Sequence, residues 1–265
     1  MTSLFQETMN VDIKTLKDFT PREFILISGL PGIAYIGKLS VEYLVQQLKA
    51  QKIADVYSKY FPPYTLIKKD GVVELLKNEL FHYKNSKSDF MFLSGNAQAF
   101  SPEGQFEVID TILNWCVTNG LKKIYSIAAY ATDKTINIPT VYGTSTNSKL
   151  LEEFKKLGVV PLNEGVIVGE NGLIIGMAKK RNIQAVCLLG ETRGYQTPTG
   201  QYLIDAKATK EVISVLVKVL NLEVNMDPLD KQAKDMDEII TKMTEVEQQI
   251  QKQMTQSTKK PSYVT

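Results

Sequence analysis

The chain has 265 residues with 31 basic against 29 acidic side chains, a net charge of +2 at neutral pH. That length suffices for one large core or two small ones, and the even charge balance leaves no footprint for a polyanionic partner. Arginine occurs only at Arg22, Arg181 and Arg193, whereas bidentate phosphate recognition favours arginine over lysine, so nucleic-acid binding is disfavoured.

Residues 1–20 are mixed in character and read as an N-terminal extension. Phe24–Ser28 is a short apolar run, which predicts a buried strand, and Pro31–Ala50 carries apolar residues at helical spacing (Ile33, Ile36, Leu39, Tyr43, Leu44, Leu48). Pro31 suits a first helical turn, where its missing N–H costs nothing. Ile53–Tyr60 follows, ahead of a break at Phe61-Pro62-Pro63. Tyr64–Lys68 and Val72–Tyr83 then read as hairpin strands about the turn Lys69-Asp70-Gly71. Phe90–Ser94 is a second buried strand. Ser101 and Pro102 open a helix that runs to Asn119 and stops at Gly120.

Further along, Ile124–Ala129 reads as a strand, Lys149–Leu157 as a helix ended by Gly158, and Val159–Val168 as a short strand pair. Leu173–Arg181 is helical, Ala185–Leu189 is a strand and Ala206–Leu220 is a helix. Alternating strands and helices predict an α/β domain with a mainly parallel sheet covered on both faces, plus the antiparallel Asp-Gly hairpin. Asp227-Pro228 starts a last helix over 226–255, in which Leu229, Met236, Met243 and Ile250 recur every seven residues. Ile239 and Val246 fall three places on, making an apolar stripe for helix packing or for an oligomer interface. Residues 256–265 hold too little apolar content to fold and read as a flexible tail. No run approaches the ~18 apolar residues of a membrane span, and the N-terminus lacks a signal-peptide pattern. The expectation is a cytoplasmic protein without membrane contact.

Gly32-x-x-x-x-Gly37-Lys38 comes within one residue of a phosphate-binding P-loop, but Leu39 stands where a hydroxyl must bind magnesium. Ile33 and Ile36 also suit a packed helix better than an exposed loop. Gly29 permits a sharp turn off the strand, while Gly32 and Gly37 allow the helix to approach the sheet. A helix start at the carboxyl end of a parallel strand nevertheless suits an anion, so Gly29, Gly32 and Lys38 form one candidate ligand turn. The loop from Glu191 to Tyr195 leaves the same edge with a carboxylate and Arg193, which either serve a ligand or pin the loop. Asn96-Ala97-Gln98 faces that edge too. The sole histidine, His82, sits in a strand-like stretch with no serine or cysteine partner. Cys116 and Cys187 lie in apolar surroundings without metal-ligand spacing and read as buried thiols. No complete catalytic constellation emerges, and no metal or cofactor is expected.

Several stretches together resemble one family. Gly29-Leu30-Pro31-Gly32-Ile33-Ala34-Tyr35-Ile36-Gly37 is similar to the G-[LF]-P-G-x-G-x-[VI]-G opening of the proteasome assembly chaperones. Ser94–Gln98, Gly165–Gly169, Asn171-Gly172 and Leu188–Thr192 resemble that family's later signatures in the same order, over about residues 20–225. The likeness is to an archaeal-type member, similar to the second eukaryotic proteasome assembly chaperone. It implies a three-layer αβα sandwich shaped like nucleoside phosphorylases but without their catalytic residues. It also implies a non-enzymatic assembly role on the proteasome α-ring, with homo-oligomers or a paralogous chaperone as partners. Some relatives end in a hydrophobic-Tyr-any tripeptide that inserts between α subunits. Here Tyr263, Val264 and Thr265 close the sequence, which sets the tyrosine one residue farther from the carboxylate. The alternative is a nucleotide- or small-ligand-binding enzyme using the Gly29–Lys38 turn and the Glu191–Tyr195 loop.

Overall fold

A computed structural model describes residues 9–86, 88–134, 136–197 and 200–241. Its centre is a nine-stranded sheet in the order β1-β3-β6-β7-β2-β8-β11-β9-β10. The strands are β1 (Val11–Thr15), β2 (Phe24–Ser28), β3 (Gln51–Ser58), β6 (Asn78–Lys84), β7 (Asp89–Gly95), β8 (Leu121–Ala131), β9 (Val141–Ser145), β10 (Val160–Pro161) and β11 (Gln184–Thr192). A separate two-stranded hairpin joins β4 (Thr65–Ile67) to β5 (Val73–Leu75). Helices α1 (Ile36–Leu48), α3 (Ser148–Lys155) and α5 (Ala206–Leu220) cover one face of the sheet, and α2 (Pro102–Thr118) and α4 (Glu170–Lys180) the other. This is the three-layer α/β sandwich that the alternation of elements predicts.

The sheet is mixed rather than mainly parallel. β7, β2, β8 and β11 run parallel at its centre, while β1, β3, β6 and β7 pair antiparallel on one side and β9 antiparallel to β11 on the other. The central strands read as unbroken apolar runs because helices cover both their faces: every residue of β7 is buried. The outlying strands β1, β9 and β10 span five residues or fewer and are less apolar, so periodicity alone underestimates them. β1 lies within the stretch expected to be an extension; Val11 and Ile13, two residues apart, pack on the core from its one buried face. β9 gave no sequence signal. The pair expected over Val159–Val168 reduces to β10, and residues 162–168 form a loop instead. Likewise Val72–Tyr83 divides into β5 and β6.

Local chemistry fixes the helix ends. Ser101 Oγ accepts from the Gly104 N–H at 3.1 Å with Pro102 in the first turn, Asn147 Oδ1 from Leu150 at 2.9 Å, and Asp205 Oδ1 from Ala208 at 2.9 Å. The hairpin turns at Gly71, with φ of +81°, and a buried ion network holds it to the sheet. Lys77 bridges Asp55 of β3 (3.1 Å) and Glu74 of β5. Hydrogen bonds from Lys68 and Lys77 hold the Glu74 carboxyl at about 2.

The helix expected from Pro31 begins five residues later. A single tight turn, Ile33–Tyr35, precedes it, with Ala34 and Tyr35 in the left-handed region (φ of 53° and 56°). Such backbone costs about 1–2 kcal/mol per residue, and close contact below it imposes the turn. A Cβ on Gly29 would lie 2.1 Å from the Gly37 carbonyl oxygen, and one on Gly37 would lie 2.6 Å from that of Ile127. Gly32 differs from the expected close approach: its backbone is extended, and the nearest atom to an added Cβ is Asn171 Nδ2 at 3.8 Å.

The last described helix, α6 over 227–241, packs on its own domain. Leu229, Ala233 and Met236 are buried, Tyr43 Oη donates to the Asn225 carbonyl at 2.5 Å just before it, and Lys207 pairs with Asp237 at 2.7 Å. Ile239 stays 47% exposed. Met243, Val246 and Ile250 of the stripe, and Tyr263, Val264 and Thr265, lie outside the described residues.

The glycine contacts set an expectation for stability. Gly29→Ala should cost about 3 kcal/mol through overpacking, whereas Gly176→Ala, at an exposed helical position with nothing within 4 Å of the added Cβ, should gain about 0.5–1 kcal/mol. Chemical denaturation of the two variants beside the parent checks both signs.

Candidate functional site

The parallel strands all end at one edge of the sheet, and the chain places its candidate loops there. β2 leads into Gly29–Tyr35, β7 into residues 96–100, β8 into residues 132–140 and β11 into residues 193–204. Ligands bind at this edge in open α/β sheets, where the strand order reverses. A fifth segment, residues 162–169, runs over the edge into the start of α4.

A buried polar network ties three of these segments together. Asn171 uses its side-chain amide as a surrogate strand: Oδ1 accepts from Leu30 N at 2.9 Å and Nδ2 donates to Leu30 O at 3.0 Å. Its own carbonyl accepts from Ser126 Oγ at 2.6 Å. Gln98 donates from Nε2 to the Pro31 carbonyl at 2.5 Å and accepts at Oε1 from the Glu170 N–H at 2.7 Å. Glu170 completes the set by accepting at Oε1 from Ala99 N at 2.6 Å. Both side-chain amides thus serve the backbone of neighbouring loops, which compensates the cost of burying them.

Glu170 is the anomaly in this network. It is fully buried, its second oxygen has no hydrogen-bond partner, and burial pushes its pKa up to about 7 despite the Ala99 N–H. A carboxylate in the first turn favours the helix dipole, but complete burial outweighs that. Apolar periodicity and motif spacing do not mark Glu170 in the sequence. Its setting in Gly169-Glu170-Asn171-Gly172, with Gly169 at a φ of +83°, is the signal that could have found it.

Between these loops lies a pocket of about 300 Å³, lined among others by Gly32, Ile33, Ala129, Tyr130, Val168 and Leu189. Among the described residues its lining holds no charged side chain. The candidate cations have other partners. Lys38 donates to the Gly95 carbonyl at 2.6 Å and pairs with Glu42 at 2.7 Å. Arg193 is exposed, with its guanidinium 5.3 Å over the Tyr195 ring. Glu191 does not pair with Arg193; its Oε2 accepts from Thr140 N at 3.0 Å and its own N–H donates to Thr140 O at 2.9 Å, fastening the return of the 132–140 loop. Gly29 is occupied by the helix contact already described. The predicted ligand residues therefore share an edge without converging on one another.

Elsewhere, His82 Nε2 lies 3.2 Å from Asp89, a buried carboxyl that also accepts from Arg22. Burial raises the Asp89 pKa, and the hydrogen bonds from Arg22 and His82 more than offset it, holding the group below the usual carboxylate range. Cys116 and Cys187 are free and buried, and burial pushes the Cys187 thiol up to about 12. Among the described residues no group of three or more His, Cys, Asp or Glu is placed to hold a metal ion, and no helix is long and apolar enough to cross a membrane.

These features define an α/β/α domain whose carboxyl edge is braced by side-chain amides and leads into an uncharged pocket. The chain belongs to the PAC2 family, whose match spans residues 26–244. It is similar to the crystal structure of Pyrococcus furiosus PbaB, described as an archaeal proteasome activator. That likeness has 34% identity and a TM-score of 0.82, covering 89% of this chain and 99% of that one. Pyrococcus furiosus PbaA, described as an archaeal homolog of proteasome-assembly chaperone, is 26% identical with a TM-score of 0.70, over 94% of this chain and 98% of that one. An uncharacterized protein of Methanocaldococcus jannaschii is 34% identical over 241 residues, 90% of each chain.

The Glu170 site predicts a pH dependence of stability. The folded state binds this proton more tightly than the unfolded chain, whose glutamate pKa is about 4.3. Its contribution is therefore most favourable below about pH 4.3, declines as the pH rises towards about 7, and is constant above that. Glu170→Gln keeps the acceptor for Ala99 and removes the charge. Denaturation from pH 5 to pH 8 should show the variant gaining on the parent by roughly 3 kcal/mol across the range, at 1.36 kcal/mol per unit. A constant difference would place no titrating group here.

Proposed function

We propose that this protein is a non-enzymatic assembly chaperone or scaffold that acts on the proteasome α-ring as a cytoplasmic homo-oligomer. The reading is carried by the likeness to PbaB, an archaeal proteasome activator, over 89% of this chain and 99% of that one at 34% identity. The relation to PbaA supports it independently. In this reading the body, 21–225, sets the oligomer, and the amphipathic helix over 226–255 continues from the packed Leu229 and Met236 towards Ile239, Met243, Val246 and Ile250 as a surface for self-association or for a paralogous chaperone. The tail, 256–265, reaches the α-ring through Tyr263, Val264 and Thr265. A tyrosine ring docks in a hydrophobic groove by the same physics that makes aromatic side chains dominate interfaces. No nucleic acid, membrane or cofactor takes part.

The test is retention of recombinant proteasome α subunits on the immobilised full chain and on a chain truncated after Gln256. The full chain should retain them and the truncated chain should lose most of that binding. A full chain that retains none overturns the α-ring assignment, whereas equal retention by both moves the contact from the tail to the body.

A further inference from the structure

A groove of about 460 Å³ opens where the start of β1 meets the β4–β5 hairpin. Phe61 and Leu76 line it from the core, both buried, while Met9, Tyr64 and Leu75 line it at 70%, 57% and 61% exposure. Asp12 and Lys59 balance each other in the lining, so apolar contact decides what enters. The hairpin has an open side here. A two-stranded hairpin is marginal in water unless something packs on it. The Lys77 network holds its inner side through Glu74, and Leu75, the next residue along β5, turns the other way, paired across the hairpin with Thr65.

β1 aims its own chain at this groove. Its antiparallel pairing with β3 sets Val11 against Ser58. The Lys59 N–H donates to the Asn10 carbonyl at 3.0 Å, which carries the ladder one pair further. The backbone ahead of Asn10 is thereby directed towards residues 60–64, and Met9 is already part of the lining. Residues 1–8 read Met-Thr-Ser-Leu-Phe-Gln-Glu-Thr. Leu4 and Phe5 stand five and four residues ahead of Met9, about 13–18 Å of extended chain, enough to cross an opening of this size. Successive side chains of an extended backbone point to opposite faces. Because Leu4 and Phe5 are adjacent, either face presents one apolar side chain to the groove.

We propose that residues 1–8 of the same chain occupy this groove as a strap, with the Leu4-Phe5 pair seated against Tyr64 and Leu75. Tethering decides between this occupant and a separate molecule. A segment joined at Met9 meets the groove at an effective concentration of the order of millimolar, which a second copy or another protein in solution has to exceed. The strap closes the open side of the hairpin, as the Lys77 network closes its inner side. The inference is independent of the α-ring reading.

Photo-crosslinking on the full chain tests it, with the photoreactive residue p-benzoyl-phenylalanine in place of Phe5. After irradiation the cross-linked species should keep the monomer mass on a denaturing gel, and its peptides should join position 5 to residues 61–65 or 75–76. A product of dimer mass makes the occupant's host a second copy and overturns the strap. Cross-links to other parts of the chain, or none, overturn it as well. Leu75→Asp in the same background places a charge in the groove at an exposed position, so it should melt within a few degrees of the parent and lower the cross-link yield at least fivefold; an unchanged yield overturns the proposal. Should Leu75→Asp fail to fold, hydrogen exchange decides. The double variant Leu4→Asp with Phe5→Asp should then speed exchange at residues 64–76 at least fivefold and leave β2, β7 and β8 unchanged. Equal exchange at 64–76 in variant and parent overturns the strap.

Discussion

The arrangement of this domain depends on one close backbone contact. The end of β2 and the start of α1 meet at Gly29 and Gly37, where no side-chain atom fits: a Cβ on either glycine would fall 2.1 Å or 2.6 Å from a carbonyl oxygen. The contact sets α1 onto the sheet across β2 and β8. It leaves too little chain for a regular helix start, and Ala34 and Tyr35 take left-handed backbone as a result. That strain is held by bonds at both ends of the turn, from Tyr35 N to Gly32 O at 3.1 Å and from Asp205 N to Ala34 O at 3.0 Å. Asp205 also caps α5 and accepts from Thr192 at 2.7 Å. The carboxylate and the backbone amide of Asp205 thus link the β2 turn to the β11 loop.

On the opposite face the same turn is braced by polar side chains. Asn171 pairs with both backbone groups of Leu30, continuing the strand by one residue with a side chain in place of a neighbouring strand. Buried networks of this kind specify geometry when every member is satisfied, and here all but one oxygen is. The unpaired Glu170 Oε2 is a stability cost carried at the junction of three loops. Retaining it is consistent with a site whose loop geometry matters more than its contribution to folding.

The near-match to a P-loop illustrates how little a spacing says without its surroundings. In a phosphate site the lysine is free to reach the ligand and the glycines open the backbone towards it. Here Lys38 is held by Gly95 and Glu42, and two of the three glycines are spent on packing. The C-terminal helix shows a related economy, because the first part of its stripe, Leu229 and Met236, is consumed within its own domain and only Ile239 is offered outward among the described residues.

What could be read in the sequence was what depends on local periodicity and on residue chemistry. The central buried strands, the capped start of α2, the span of α5, the Asp-Gly hairpin, the layered α/β class and the family were legible, because an apolar run, a cap or a glycine acts within a few residues of itself. The edge strand β1 and the short strand β9, which lies between β11 and the β10 edge, were not, because short strands with partly solvated faces carry a weak pattern and form only where a neighbour offers hydrogen bonds. The late start of α1 was hidden for a similar reason: it answers to a contact with Ile127, ninety residues away in the chain. The sequence placed Glu191, Arg193, Gly29 and Lys38 on loops of one edge. Only the tertiary structure gave each its partner, Thr140, Tyr195, Gly37 and Gly95. The sequence by itself determined which elements form and which family they build. The packed chain decided which polar groups are spent holding the fold and which surface is left uncovered, since that is settled by contacts between residues far apart along the chain.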